Sequence, residues 1–137
     1  MPEATRPLPL IVAGALLLVA SAAGAPAQED FSLDDFTVET GQDLLDVCTV
    51  EQDHVSHWEA RAFCYGYFQG GAHFHQALVS GERHDPIVCP PEGATVRDAV
   101  RHFVDYARAH PEYLSEAPMD VVFRAVAEAW PCPRAAG

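Results

Sequence analysis

Residues 62–78, AFCYGYFQGGAHFHQAL, decide how the rest of the chain is read. The stretch carries one cysteine, three glycines, two histidines and five aromatic rings, with no proline and no fixed charge. Phe63, Tyr67, Phe74 and Leu78 recur at helical spacing, and Gly70 falls on the same stripe. Ser56-His57-Trp58-Glu59 upstream has the residue types of a capping box, and Gly81 downstream is placed as a C-cap glycine. The spacing therefore predicts one long central helix between Ser56 and Gly81. Ala62, Gly66 and Gly70 are four apart and form a line of small residues along it. Glycines inside a helix are unfavourable by about 1 kcal/mol each against alanine. Gly66 and Gly70 are accordingly expected to admit a close neighbour, from this chain or from a second copy.

On the N-terminal side, Thr40-Gly41-Gln42-Asp43 reads as a capping box opening a short helix through Leu44, Leu45, Val47 and Cys48. The β-branched pair Thr49-Val50 closes it. On the C-terminal side, residues 82–94, ERHDPIVCPPEGA, form a loop, since Pro86, Pro90, Pro91 and Gly93 break regular structure. Thr95-Val96-Arg97-Asp98 then caps the most regular helix. It places Val96, Ala99, Val100, Phe103, Val104 and Ala107 inside, and Arg97, Arg101, Asp105 and Arg108 outside. Pro111 stops it, and His110-Pro111-Glu112-Tyr113 makes a turn. Pro118 suits the first turn of a last helix, whose apolar face is Met119, Val122, Ala125, Val126 and Ala129. Pro131 ends that helix. No segment alternates with period two for long enough to make a strand. The expected fold class is all-α, a small disulfide-bonded domain of about four helices.

The first residues belong to export, not to the fold. Residues 8–23, LPLIVAGALLLVASAA, are apolar, and Ala25-Pro26-Ala27 supplies small residues at the positions a signal peptidase reads. A membrane-spanning helix wants roughly 20 apolar residues, which this run does not reach. Residues 1–27 are thus expected to be a signal peptide and residues 28–137 a single mature domain, periplasmic and without a membrane anchor. Residues 28–39 read as a partly ordered arm in which Phe31, Leu33 and Phe36 could dock. The mature part holds all four cysteines, Cys48, Cys64, Cys89 and Cys132. An even number in an exported chain implies two disulfides, for which three connectivities exist.

Formal net charge is −12 and every fixed positive charge is an arginine. That excludes nucleic acid as a partner and disfavours an anionic membrane surface, whereas a basic protein partner suits it. No residues point to catalysis. The cysteines are better used as bridges than as nucleophiles, and no Gly-x-Ser-x-Gly or phosphate-cradling loop is present. The seven histidines make no His-Glu-x-x-His pairing, and His73 and His75 point to different helix faces, so no metal or cofactor is expected. Glu51, Asp53 and Glu59 sit where they favour the start of the central helix. What remains is a binding module. Its candidate partner-binding residues are Pro90, Pro91 and Glu92 in the cysteine-held loop, and His110, Glu112 and Tyr113 in the turn.

Several of these elements together resemble one family. They are Thr40-Gly41 with Leu44-Leu45 and Cys48; Cys64-Tyr65-Gly66-Tyr67 with Gly70; Cys89-Pro90 followed by Thr95; Tyr106 with His110-Pro111-Glu112; and the closing Trp130-Pro131-Cys132. In this order and spacing they resemble the Rap/Tai immunity proteins, over residues 40–132. The chain departs from the family pattern at Ala72-His73, at Leu114-Ser115-Glu116 and at Trp130. The resemblance implies an all-helical periplasmic protein, commonly a homodimer. It also implies a function: binding a peptidoglycan amidase delivered by a type VI secretion system and occluding its cleft. Such a protein needs no catalytic residue of its own. The favoured bridges are Cys48–Cys64, joining neighbouring helices, and Cys89–Cys132, tying the proline-rich loop to the C-terminus. The alternative readings are a small periplasmic stress chaperone, to which the seven histidines and small helical build would be suited, and an envelope protein with no activity of its own.

Overall fold

The computed structural model describes residues 36–81 and 84–133. The expected signal peptide and residues 28–35 of the arm lie outside that range. Four helices run in the order α1 (Gly41–Cys48), α2 (His57–Val79), α3 (Val96–Ala109) and α4 (Pro118–Ala129), with a 3-10 turn at Pro111–Tyr113 before α4. Among the described residues there is no strand. The all-α reading holds.

Local chemistry sets the helix starts. The Thr40 hydroxyl accepts the Asp43 N–H at 3.2 Å, and the Asp43 carboxylate accepts the Thr40 N–H at 2.8 Å. Thr95 and Asp98 repeat the arrangement at the head of α3, at 3.3 and 3.0 Å. Each pair satisfies donors that a helix start leaves orphaned. Pro118 opens α4 as expected. Ser56 corrects the sequence reading. Its side chain makes no cap bond, and its N–H donates to His54 Nδ1 at 3.1 Å. The residue types at 56–59 match a capping box, but Ser56 has φ −98 and ψ 17, outside the extended backbone that Thr40 and Thr95 adopt at their caps.

Both disulfides join the favoured partners, Cys48–Cys64 and Cys89–Cys132. The first ties α1 to α2 across 16 residues and the second closes a loop of 43. In the chain-entropy model these stabilise the domain by about 3 and about 4 kcal/mol. The core lies between the first half of α2, the inner face of α3 and one face each of α1 and α4. Leu44, Phe103, Ala107 and Val121 are fully enclosed in it. Phe68 meets Phe103 edge-on at 5.5 Å.

The central helix is long, as its sequence predicts, but its buried stripe is a different one. Ala60, Cys64 and Phe68 face the core. Phe63 and Tyr67 are half-buried beside them, with the Phe36 ring tilted against Phe63 at 5.3 Å. Phe74 and Leu78 were expected on the buried stripe, yet they are 64% and 41% exposed. The helix outruns the bundle, and no residue after Phe68 in it is buried. Gly66 and Gly70 are likewise open, because a Cβ on either would meet nothing within 4 Å. They do not serve close packing within the chain.

Two other glycines do: Gly71, where a Cβ would stand 3.0 Å from the Met119 side chain of α4, and, more tightly, Gly41. A Cβ there would stand 2.7 Å from the Val121 side chain and 3.4 Å from the Leu114 backbone. Its N–H donates to the Glu116 carbonyl and that of Gln42 to Leu114, both at 2.9 Å, so α1 starts pressed against the segment that leads into α4. Gly41→Ala should therefore lower the melting temperature, whereas Gly70→Ala should raise it by removing an exposed helix glycine worth up to about 1 kcal/mol.

The Asp43 carboxyl is held below its ordinary value of 3.8, chiefly by the Thr40 hydroxyl and then by the Thr40 N–H. A depressed carboxylate contributes stability above its unfolded pKa and loses it as pH falls through the folded value. Thr40→Ala should destabilise by about 1 kcal/mol at pH 7. In denaturation titrations its deficit against the unsubstituted protein should shrink below the ordinary Asp43 value of 3.8.

Candidate partner interface

Three chemically distinct regions of surface stand out, and each follows from how the elements end. The first is the loop between α2 and α3. Cys89 pins it through the disulfide, and the Cys89 N–H donates to the Trp130 carbonyl at 3.0 Å. The Ile87 N–H donates to His75 Nε2 on α2 at 3.3 Å, and Val88 is buried beneath. Gly93, with φ +83, turns the chain into the Thr95 cap.

α2 and α4 meet at only a few side chains, Gly71 against Met119 and His75 against Phe123, and beside these contacts the loop borders a pocket of about 420 Å³ between them. Phe68, Val122 and Val126 form its floor, and Pro86, Val88 and Pro90 one wall. His75, Gln76 and Trp130 bring its few polar groups. The volume falls in the range of small-molecule and side-chain receptacles. Exposed Phe74, Leu78 and Ile87 stand near it on the same two segments. Of the expected contact residues, Pro90 belongs to this pocket. Pro91 and Glu92 turn away and border a separate hollow of about 290 Å³, shared with Arg101 and His102.

The second region is the turn. His110, Glu112 and Tyr113 come together there as the sequence suggests. The His110 ring lies tilted against Tyr106 at 4.4 Å, and Tyr113 lies parallel to Tyr106 at 6.2 Å. Arg124 from α4 sits over Tyr113 at 4.5 Å and is anchored by Glu116 at 3.0 Å. Glu112 is 3.2 Å from His110 Nδ1. Its own backbone N–H, and then the His110 ring, hold its carboxyl below the usual range. This turn and the Pro91–Glu92 corner lie at opposite ends of α3, about 20 Å apart along a 14-residue helix. The fold does not merge them into one site.

The third region was not anticipated. Near the start of α2, Trp58 is 71% exposed, and the Arg61 guanidinium lies over both Trp58 and Tyr65. Its signal is the 3-4 spacing of residues 58, 61 and 65, which the aromatic stripe of 63, 67, 74 and 78 hides. Among the described residues no group of three or more His, Cys, Asp or Glu side chains could hold a metal ion. No described helix is long and apolar enough to cross a membrane.

Residues 40–132 match the family model of the Rap1a immunity proteins. The chain belongs to this family. The match starts at the Thr40 cap and ends at Cys132, so it encloses all four helices and both disulfides of this Rap1a domain. Neither curated proteins nor solved structures give a significant match. Membership implies a protein that binds an effector rather than a catalyst, and the two bridges fit an oxidising compartment.

The pocket wall depends on the second bridge. Cys89→Ser with Cys132→Ser should lower stability by about 4 kcal/mol in the chain-entropy model. By hydrogen exchange the Cys89 amide should lose protection, while amides of the α1–α2 pair keep theirs.

Proposed function

We propose that this Rap1a protein is an exported immunity protein that binds a peptidoglycan amidase effector of a type VI secretion system and occludes its cleft in the periplasm. The observation that carries the reading is the family match across the entire folded unit. The apolar run at residues 8–23, the small residues before Gln28 and two disulfides in a small domain support export. The contact residues on this reading are Pro90, Pro91 and Glu92 at one end of α3 and His110, Glu112 and Tyr113 at the other. A rigid body that fills the mouth of a cleft inhibits without chemistry, and loops held by a disulfide lose little entropy on binding.

The protein acts as a homodimer on this reading. Residues 62–80 carry no fixed charge in a chain of net charge −12, so that face of α2 is where two copies meet with least repulsion. The open line Ala62, Gly66, Gly70 would let the helices approach. Gly70→Leu should then abolish the dimer in sedimentation or light-scattering measurements, and with it the concentration dependence of the melting temperature.

The decisive experiment co-expresses this chain with an amidase effector encoded beside it, directed to the periplasm. Cells should lyse with the effector alone and survive with both. The purified proteins should form a stable complex with no residual amidase activity. Full hydrolysis of peptidoglycan in the presence of excess immunity protein would rule the reading out.

A further inference from the structure

The geometry points to Trp58, Arg61 and Tyr65 as a carboxylate-recognising contact for a protein partner that docks along one face of α2. Residues 58, 61 and 65 are separated by three and four positions, so they share a face. The Arg61 guanidinium lies 5.9 Å from the Trp58 ring centroid and 5.3 Å from that of Tyr65. A cation–π contact of this kind engages the guanidinium charge without using its N–H donors, which stay available for an acceptor. Among the described residues Arg101 and Arg124 are held by Asp98 and Glu116, whereas Arg61 has no ion pair. The nearby Glu59 is two positions away and projects from another face. An arginine already ordered by two rings, with its fork of donors unspent, is preorganised for a planar acceptor.

The acceptor is a single carboxylate on a protein. A planar fork also fits phosphate, but a net charge of −12 repels nucleic acid and anionic lipid surfaces. A lone Asp or Glu on an otherwise basic partner surface meets attraction from both sides. Past Phe68, which the core covers, the same 3-4 series resumes at Ala72, His75 and Val79, which line the apolar pocket. Arg61 and His75 are 14 positions apart, about 21 Å along the helix, and that matches the span of a standard protein interface. Trp, Tyr and Arg are the residue types that dominate such interfaces energetically. The occupant is therefore a partner protein with an acidic side chain opposite Arg61 and an apolar one opposite the pocket.

The identity of that partner rests on the immunity reading, while the chemistry of the contact can be tested without it. Benzoate, which joins a carboxylate to a ring, serves as the probe in an NMR titration of the labelled mature chain. The Arg61 Nε–H and Trp58 indole signals should shift saturably, the response should vanish in Arg61→Gln, and it should persist in Arg97→Gln. Equal shifts at Arg61, Arg97 and Arg108, or the same response to inorganic phosphate, would overturn the assignment. With the neighbouring effector as probe, Arg61→Gln should weaken binding at least tenfold with an unchanged melting temperature, and Arg97→Gln less than twofold. Unchanged affinity in Arg61→Gln overturns the docking face. An effector that fails to bind the unsubstituted protein defeats the immunity reading instead, and the benzoate titration alone then decides the contact.

Discussion

The contact between Phe68 and Phe103 is the point on which this structure turns. Phe103 is fully enclosed, and Phe68 is the last residue of α2 that the core covers. Up to that ring, α2 is an ordinary member of a small bundle, stapled to α1 by Cys48–Cys64. Beyond it, eleven residues remain in the helix with no neighbour wide enough to bury them. Neither α3, with 14 residues, nor α4, with 12, matches the 23 of α2. The overhang and α4 consequently form two sides of a gap, and the chain closes it with a proline-rich loop instead of a helix. The pocket is what remains when a helix is longer than the core that anchors it.

What the sequence makes legible here is what local chemistry decides. The Thr40–Asp43 and Thr95–Asp98 caps are complete within four residues, so their geometry follows from residue type. The α3 pattern is legible because one face is charged and the other is not. Neighbourhood favours both disulfide pairings without excluding the other connectivities, since Cys48 and Cys64 lie on consecutive helices and Cys132 follows the last one. The central helix resists the same treatment because aromatic residues occur on every side of it. Phe63, Tyr67, Phe74 and Leu78 form a plausible stripe, yet half of that stripe lies past the end of the bundle. The glycines mislead for a related reason. Gly66 and Gly70 have helical spacing but no neighbour, whereas Gly41 sits at a helix start, where glycine is unremarkable, and only the approach of Val121 and Leu114 reveals why it is needed. Ser56 has the right residue type without the backbone conformation.

The site is legible in chemistry and not in arrangement. His110, Glu112 and Tyr113 are close in sequence and so are close in space, with Tyr106 one helical turn before His110. Arg124 joins them only through the return of α4, which no spacing rule supplies. Pro90 and Pro91 are adjacent, yet a change of direction at one peptide puts them beside different hollows. A loop whose ends are fixed by a disulfide and a helix cap can face two ways at once.

Charge then divides the work among these surfaces. A chain of net charge −12 without a lysine draws basic partners over long distances. Long-range attraction sets encounter rate more than affinity, and it carries little positional information. Position must come from features that the acidic background does not share. The segment 62–80 is such a feature, uncharged and partly apolar, and Arg61 is another, a cation held between rings rather than neutralised by a carboxylate. Both lie on α2, the one element whose burial ends halfway. A helix that overreaches its core keeps the rigidity of that core and gives up only its cover, so it presents side chains in fixed positions at no further cost in chain entropy. That is the physical advantage of building a recognition surface from surplus helix.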